Sequence, residues 1–235
     1  MAGRIRNSER GTAMRAAIFD LDGTLADTSD DLIAAANSCF ERDWLDPVAD
    51  VATAFAGGRA MLRLALERAG DGVDQSDFET LFGRFLEAYS AGLDVHSQLY
   101  PGAAECLERL SGAGWRLGVC TNKPEALARR LLHSLGVLPV LGALVGADTL
   151  PVRKPDPRPL QETARRLGVG MARTVMIGDS APDLAAALAA GVPGVICTFY
   201  ARPPGDPPLR AAASFSHFRQ LPALLDRMIP VTGAV

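Results

Sequence analysis

Two carboxylates, Asp20 and Asp22, stand two residues apart where the apolar run Ala16-Ala17-Ile18-Phe19 ends, and Gly23 and Thr24 follow directly. Carboxylates so placed invite a hard cation, because Mg²⁺ takes oxygen ligands and commonly combines one or two carboxylates with phosphate and water. Gly23 permits a tight turn that brings backbone N–H groups and the Thr24 hydroxyl close to a bound anion. Three more apolar runs end in polar groups. Arg116-Leu117-Gly118-Val119-Cys120 precedes Thr121-Asn122-Lys123, Leu144-Val145-Gly146 lies ahead of Lys154-Pro155, and Thr174-Val175-Met176-Ile177-Gly178 leads to Asp179, with Asp183 one turn later. Ligands of open parallel sheets bind outside the carboxyl ends of the strands, so these groups are expected to converge on one crevice. There Asp20, a backbone carbonyl near Asp22, and Asp179 would suffice to hold Mg²⁺. One carboxylate would attack phosphorus while its neighbour moves protons for the leaving group and the hydrolytic water. Thr121 and Lys154 would steady the phosphoryl oxygens.

Taken singly, each fragment has an ordinary alternative: a turn, a helix cap, a surface loop. The ordered set is different, since a chance match to the first motif alone is on the order of 10⁻³ per chain at average residue usage. Lysine usage points the same way. Among 24 basic residues only Lys123 and Lys154 are lysine, and both fall at proposed site positions. A compact ammonium kept there in an arginine-rich chain suggests that the larger planar fork would not serve.

The elements that must position these groups are legible in the periodicity. After the first strand, residues 30–42 show helical spacing, with Asp27, Thr28 or Ser29 available as caps. Residues 60–69 and 78–93 follow as amphipathic helices. From Pro101 the pattern alternates: helices over 103–112, 125–135, 158–167 and 182–190, and strands over 116–120, 143–146, 174–178 and 194–198. That alternation predicts an α/β fold, a doubly wound parallel sheet with a Rossmann-like core. The all-helical stretch after the first strand then reads as an inserted cap domain over the crevice. The expected division is a core of residues 14–27 and 99–235, a cap of residues 28–98, and a tail over 1–13 that is either disordered or the result of a misplaced start.

Bulk properties exclude several classes. A chain of 235 residues that is 48% hydrophobic can bury a large core. Its formal charge of -3 supplies no global basic field for nucleic acid or an anionic membrane. Four dispersed cysteines without a C-x-x-C pair read as reduced core thiols, which places the protein in the cytoplasm. The charge-free run Leu184 to Ala201 is interrupted by Gly191, Pro193 and Gly194, as a helix, turn and strand would be rather than a membrane span.

The set Asp20-Leu21-Asp22-Gly23-Thr24, Thr121-Asn122-Lys123-Pro124, Lys154-Pro155 and Gly178-Asp179-x-x-x-Asp183 resembles the haloacid dehalogenase superfamily over residues 15–200. That resemblance implies Asp20 as nucleophile, Asp22 as acid/base, Thr121 and Lys154 as phosphate ligands, and Asp20, Asp22 and Asp179 as Mg²⁺ ligands, with Asp183 auxiliary. Gly23, Thr24, Asn122 and Lys123 would line the substrate. The dehalogenases themselves usually lack the second aspartate of the first motif, so Asp22 favours phosphoryl transfer over carbon–halogen cleavage. Phosphonatases with this type of cap use a cap lysine, and residues 28–98 contain none. The stretches Asp27-Thr28-Ser29-Asp30-Asp31-Leu32, Thr121-Asn122-Lys123-Pro124 and Lys154-Pro155-Asp156-Pro157 look most like bacterial phosphoglycolate phosphatases. The expected activity is therefore Mg²⁺-dependent hydrolysis of a small phosphate ester, with 2-phosphoglycolate first. The alternatives are another capped phosphatase, acting on pyrophosphate, a sugar phosphate or a nucleotide, and a phosphomutase like β-phosphoglucomutase. Arg59, behind Gly57-Gly58 at the start of a cap helix, is the expected partner of a substrate carboxylate. A monomer or homodimer is expected.

Overall fold

The computed structural model describes residues 14–70, 75–200 and 210–231. The expected tail over 1–13 lies outside the described residues. The first strand, β1 (Arg15–Phe19), is buried along its whole length. Such a run is stable only at the centre of a parallel sheet covered on both faces. A short strand β2 (Ala26–Asp27) leads into four helices: α1 (Ser29–Asn37), α2 (Val51–Phe55), α3 (Gly58–Ala69) and α4 (Gln75–Ala91). The chain returns through β3 (Gln98–Leu99), which pairs antiparallel with β2. It then alternates: α5 (Ala103–Gly112), β4 (Trp115–Cys120), α6 (Glu125–Ser134), β5 (Ala143–Val145), α7 (Arg158–Leu167), β6 (Thr174–Gly178), α8 (Ala181–Ala189), β7 (Gly194–Cys197), β8 (Ala213–Phe215) and α9 (Leu221–Met228).

The main sheet has the order β5-β4-β1-β6-β7-β8, and every pair in it is parallel. From β1 the chain builds outward through β4 and β5, then crosses to the other flank for β6, β7 and β8. The expected doubly wound α/β fold is thus the observed one, and β1 sits at the point where the direction of winding reverses. Register aligns the strand ends: Phe19 lies opposite Val119 on one side and Ile177 on the other. Asp20, Thr121 and Asp179 consequently leave the sheet at the same edge. Residues of β1 alternate between its faces. Ala17 and Phe19 pack into the cluster that holds Leu107, Leu110 and Leu225, whereas Ala16 and Ile18 pack with Leu160, Ala164 and Ala187. The first cluster continues into Leu62, Phe78, Phe85 and Leu93, so one apolar body joins the sheet to the helical insertion.

Where the two linkers cross, Asp31 acts as a strap. Its buried carboxylate accepts from the backbone N–H of His96 (2.9 Å) and Ser97 (2.8 Å) and from the Ser97 hydroxyl (2.7 Å). These bonds tie the start of α1 to the segment entering β3.

Several local expectations are corrected. The first helix stops at Asn37 instead of reaching 42, because the Asn37 side chain folds the next loop around itself. Its Oδ1 accepts from Trp44 N and Leu45 N, and its Nδ2 donates to Leu45 O. A side chain that offers the backbone such alternatives ends a helix. Thr28 occupies the cap position without making a cap hydrogen bond. α2, β2, β3, β8 and α9 were not anticipated. α9 is fastened by Arg15, whose buried guanidinium donates to Asp226 Oδ1 (2.7 Å) and to Ile229 O (3.0 Å). All four cysteines are free and buried, as expected of core thiols. Among the described residues no helix is long and apolar enough to cross a membrane.

Candidate active site

The carboxyl edge of the sheet opens into a cavity of about 700 Å³ that lies between the strand ends and helices α2 to α4. Asp20, Asp22, Thr121, Asn122, Lys123, Lys154 and Asp179 all line it, so the structure brings together the groups that the strand-end pattern selected. Asp20 follows β1 and is held to the sheet by its own N–H, which donates to Ile177 O at 2.8 Å. Its Oδ1 accepts from Leu21 N at 2.7 Å and lies 3.0 Å from Lys154 Nζ. Asp20 Oδ2 receives no hydrogen bond from any described residue.

Lys154 is the electrostatic pivot. Its buried ammonium donates to Cys120 O (2.7 Å) and Asp183 Oδ1 (2.6 Å) as well as facing Asp20. Burial alone would lower its pKa, but Asp183 and Asp20 outweigh that and push it above the usual lysine range, so Lys154 stays charged. Asp183 is fully enclosed at the start of α8. Its Oδ2 accepts from Ser180 N, Ser180 Oγ and Asp179 N in a capping box. With Oδ1 on Lys154 and Oδ2 so occupied, Asp183 is placed to hold the lysine and the Asp179 turn.

Asp179 takes hydrogen bonds on both oxygens, from Thr24 Oγ1 (2.6 Å) and from the Tyr200 hydroxyl (2.6 Å). Gly23 lies against it in a left-handed conformation (φ +78°). A Cβ at that position would stand 2.8 Å from Asp179 Oδ2, so glycine is required on both counts. Asp22 turns its carboxylate elsewhere: Oδ1 accepts from Thr28 Oγ1 (2.7 Å) and from Lys123 Nζ (2.7 Å). Thr121 Oγ1 accepts from Lys123 N (3.2 Å), and Asn122 Nδ2 donates to Lys154 O (3.0 Å), which ties two loops together.

Donor chemistry fits a hard divalent cation. Oxygens of Asp20, Asp179 and Asp183 lie within 4.8 Å of one another. Burial first, then the charges of Asp183 and Asp20, push the Asp179 carboxyl well above its ordinary value. Burial likewise raises Asp20 to about 6 despite the opposing pull of Lys154. Carboxylates crowded in this way hold protons that a cation would replace. The Asp22 carboxylate, expected among the metal ligands, is not part of this cluster.

Arg59 reaches the cavity wall, but its guanidinium is engaged. It makes two parallel bonds to Glu79 (2.7 and 2.8 Å) and lies 4.0 Å from the Phe82 ring centre. Glu79 takes two of the guanidinium's five N–H donors. Of the glycines before Arg59, Gly58 serves packing, since a Cβ there would meet Phe85 Cε1 at 2.3 Å, while Gly57 serves the turn with φ +99°. Tyr89 and Tyr200 are the site residues that sequence reasoning missed. Tyr89 carried only the periodicity of a core helix face, and Tyr200 stands in a loop with no motif.

Comparison with known proteins agrees with this geometry. The family model for haloacid dehalogenase-like hydrolases matches residues 14–191. A phosphoglycolate phosphatase of Rhodospirillum rubrum is 41% identical over 216 residues, covering 88% of this chain and 89% of that protein. A phosphoglycolate phosphatase of Xanthomonas campestris is 39% identical over 203 residues, covering 83% and 88%. Among solved structures, a protein of Haemophilus somnus described as a predicted phosphoglycolate phosphatase superposes with a TM-score of 0.76 at 27% identity, covering 90% of this chain and 97% of that one. CbbY of Rhodobacter sphaeroides, solved with phosphate, shares the fold at a TM-score of 0.72 and 24% identity, covering 88% and 96%. The chain therefore belongs to the haloacid dehalogenase-like hydrolases and is a phosphoric monoester hydrolase.

Proposed function

We propose that the enzyme hydrolyses 2-phosphoglycolate through an aspartyl phosphate formed on Asp20. The observation that carries this reading is the state of the Asp20 carboxylate: Oδ1 is fixed by Leu21 N and Lys154, while Oδ2, on the wall of the cavity, has no partner among the described residues. Asp20 attacks phosphorus and the bond to the ester oxygen breaks, with Asp22 giving its proton to the departing oxygen. Water then attacks the phosphoryl group, Asp22 takes a proton from it, and the bond between Asp20 and phosphorus breaks to release phosphate. Thr121 and Lys154 receive the phosphoryl oxygens, and Lys123 orients Asp22. Asp20, Asp179 and the Asp22 backbone carbonyl, with Asp183 behind them, would hold Mg²⁺, which would supply positive charge to offset repulsion between carboxylate and phosphate.

The relatives named phosphoglycolate phosphatase, 36–41% identical, support the choice of substrate. Phosphate release with Mg²⁺ across 2-phosphoglycolate, pyrophosphate, sugar phosphates and nucleotides tests it. A kcat/KM for 2-phosphoglycolate at least about tenfold above the rest is expected. Comparable values across the panel would retain the chemistry and withdraw the substrate.

The metal assignment predicts a pH dependence. The raised Asp20 pKa means that the folded, metal-free chain keeps a proton that the unfolded chain loses near 3.8. Stability from that group is present at low pH and lost as pH rises through about 6. A cation competes with the same proton, so Mg²⁺ should raise the melting temperature more at neutral pH than near pH 5. Equal stabilisation at both would mean that the ion binds elsewhere.

A further inference from the structure

Tyr89 of the α4 helix and Lys123 of the loop after β4 meet at the cavity beside Asp22. The Lys123 ammonium donates to the Tyr89 hydroxyl at 2.6 Å and to Asp22 Oδ1 at 2.7 Å. Both side chains are more than nine-tenths buried, Lys123 at 3% exposure and Tyr89 at 2%. An ammonium has three N–H donors, and a tyrosine that accepts from it keeps its own O–H. Two of the lysine's donors are used. One N–H of Lys123 and the O–H of Tyr89 therefore have no protein acceptor among the described residues.

We propose that Tyr89 and Lys123 form the subsite for a carboxylate on the leaving group, with Tyr89 as a specificity-determining residue. The inference rests on the phosphatase reading above and names the feature of the substrate that the site selects. In a 2-phospho acid the carboxylate is attached to the carbon that carries the ester oxygen. Asp22 is the group that protonates that oxygen, and Lys123 touches Asp22, so the carboxylate arrives beside the two spare donors.

The pair is also rigid, as a specificity site needs to be. Phe85 stacks parallel to Tyr89 with ring centres 5.9 Å apart. One residue further on, Arg130 of α6 donates to Ser90 Oγ (2.7 Å) and Ser90 O (3.1 Å), which holds this end of α4 against the core. Arg59, by contrast, already has a carboxylate partner in Glu79. Lys123 and Tyr89 adjoin Asp22, whereas no contact joins Arg59 to Asp22 among the described residues.

The test uses the full-length enzyme with Mg²⁺ and two substrates of matched size, 2-phosphoglycolate and 2-hydroxyethyl phosphate, which differ in the carboxylate alone. Tyr89→Phe removes one hydroxyl. It should lower kcat/KM for 2-phosphoglycolate on the order of tenfold more than kcat/KM for 2-hydroxyethyl phosphate, with the excess loss in KM. The ratio between substrates is unaffected by any loss of folded enzyme. Lys123→Gln should lower kcat for both, through Asp22, and still reduce the preference for 2-phosphoglycolate. Equal losses on both substrates in Tyr89→Phe would show a structural role and overturn the inference without touching the proposed function. Loss of preference in Arg59→Ala but not in Tyr89→Phe would return the carboxylate to Arg59. A wild-type enzyme that hydrolyses 2-hydroxyethyl phosphate as well as 2-phosphoglycolate would remove the subsite and leave a phosphatase. One that hydrolyses neither would remove both conclusions.

Discussion

Asp20→Asn is expected to lower phosphate release by about 10⁴-fold or more while leaving the fold intact, because it removes the proposed nucleophile and the charge of a proposed Mg²⁺ ligand. The asparagine carbonyl can take the place of Asp20 Oδ1, accepting from Leu21 N and facing Lys154, and its amide then stands where the unpartnered Oδ2 does. An amide oxygen does not attack a phosphate ester. Stability should move the other way. The buried carboxylate is held against its charge, with its pKa raised to about 6, so a neutral isostere relieves that penalty in the metal-free protein at neutral pH. Two measurements on one variant thus have opposite expected signs: turnover collapses, and the melting temperature without Mg²⁺ holds or rises. Residual turnover above about 1% of wild type would assign the attack to another group.

Asp183→Ala should be the most damaging change that touches no substrate. It removes the Oδ1 that pairs with Lys154 and the Oδ2 that accepts from Ser180 N, Ser180 Oγ and Asp179 N. Truncating one partner of a buried ion pair costs about 3–5 kcal/mol, because the other charge is left without compensation. Asp20 remains 3.0 Å from Lys154, which places the expected loss toward the lower end of that range. Denaturant unfolding of the metal-free protein measures it. Activity should fall as well, since Lys154 would be drawn onto Asp20 and the turn that carries Asp179 would lose its cap. Asp183→Asn retains an acceptor and the packing volume, so it should recover part of the stability. A loss below about 1 kcal/mol in Asp183→Ala would mean that the capping box and the lysine pair contribute little here.

The two variants separate residues whose task is chemical from residues whose task is to place them. Asp20 faces the cavity with one oxygen free. Asp183 is 0% exposed and has both oxygens occupied. Both are aspartates in motifs of similar strength, and nothing in the order of residues distinguishes an oxygen turned to the cavity from one turned to a lysine.

Much of the fold was legible because its signals are local. Fully buried, mostly apolar runs such as Arg15–Phe19 and Thr174–Gly178 can satisfy their backbone groups and bury both faces only inside a parallel sheet, and their polar successors then must lie at its carboxyl edge. The repeat of helix and strand after Pro101 carried the topology for the same reason. The losses came where the deciding contacts are distant in sequence. α9 has Leu221, Leu224, Leu225 and Met228 at helical spacing, a signal present but short, and what holds it in place is Arg15, more than two hundred residues away. β8 has three residues and owes its conformation to pairing with β7. The first helix ended early because Asn37 found partners in a loop that periodicity does not describe.

The same division runs through the site. Residue types and order by themselves pointed to the groups that gather at the sheet edge: strand ends in register place Asp20, Thr121 and Asp179 there, and Asp22, Lys123 and Lys154 line the same cavity, with Asp183 behind Lys154. Only the tertiary structure decided how each is used. It turned the Asp22 carboxylate away from the acidic cluster and onto Lys123, bound Arg59 to Glu79, and set Tyr89 and Tyr200 against groups that no motif links to them. The physical reason is that a strand end sets position through local backbone geometry, whereas a hydrogen bond between side chains from different elements depends on how those elements pack.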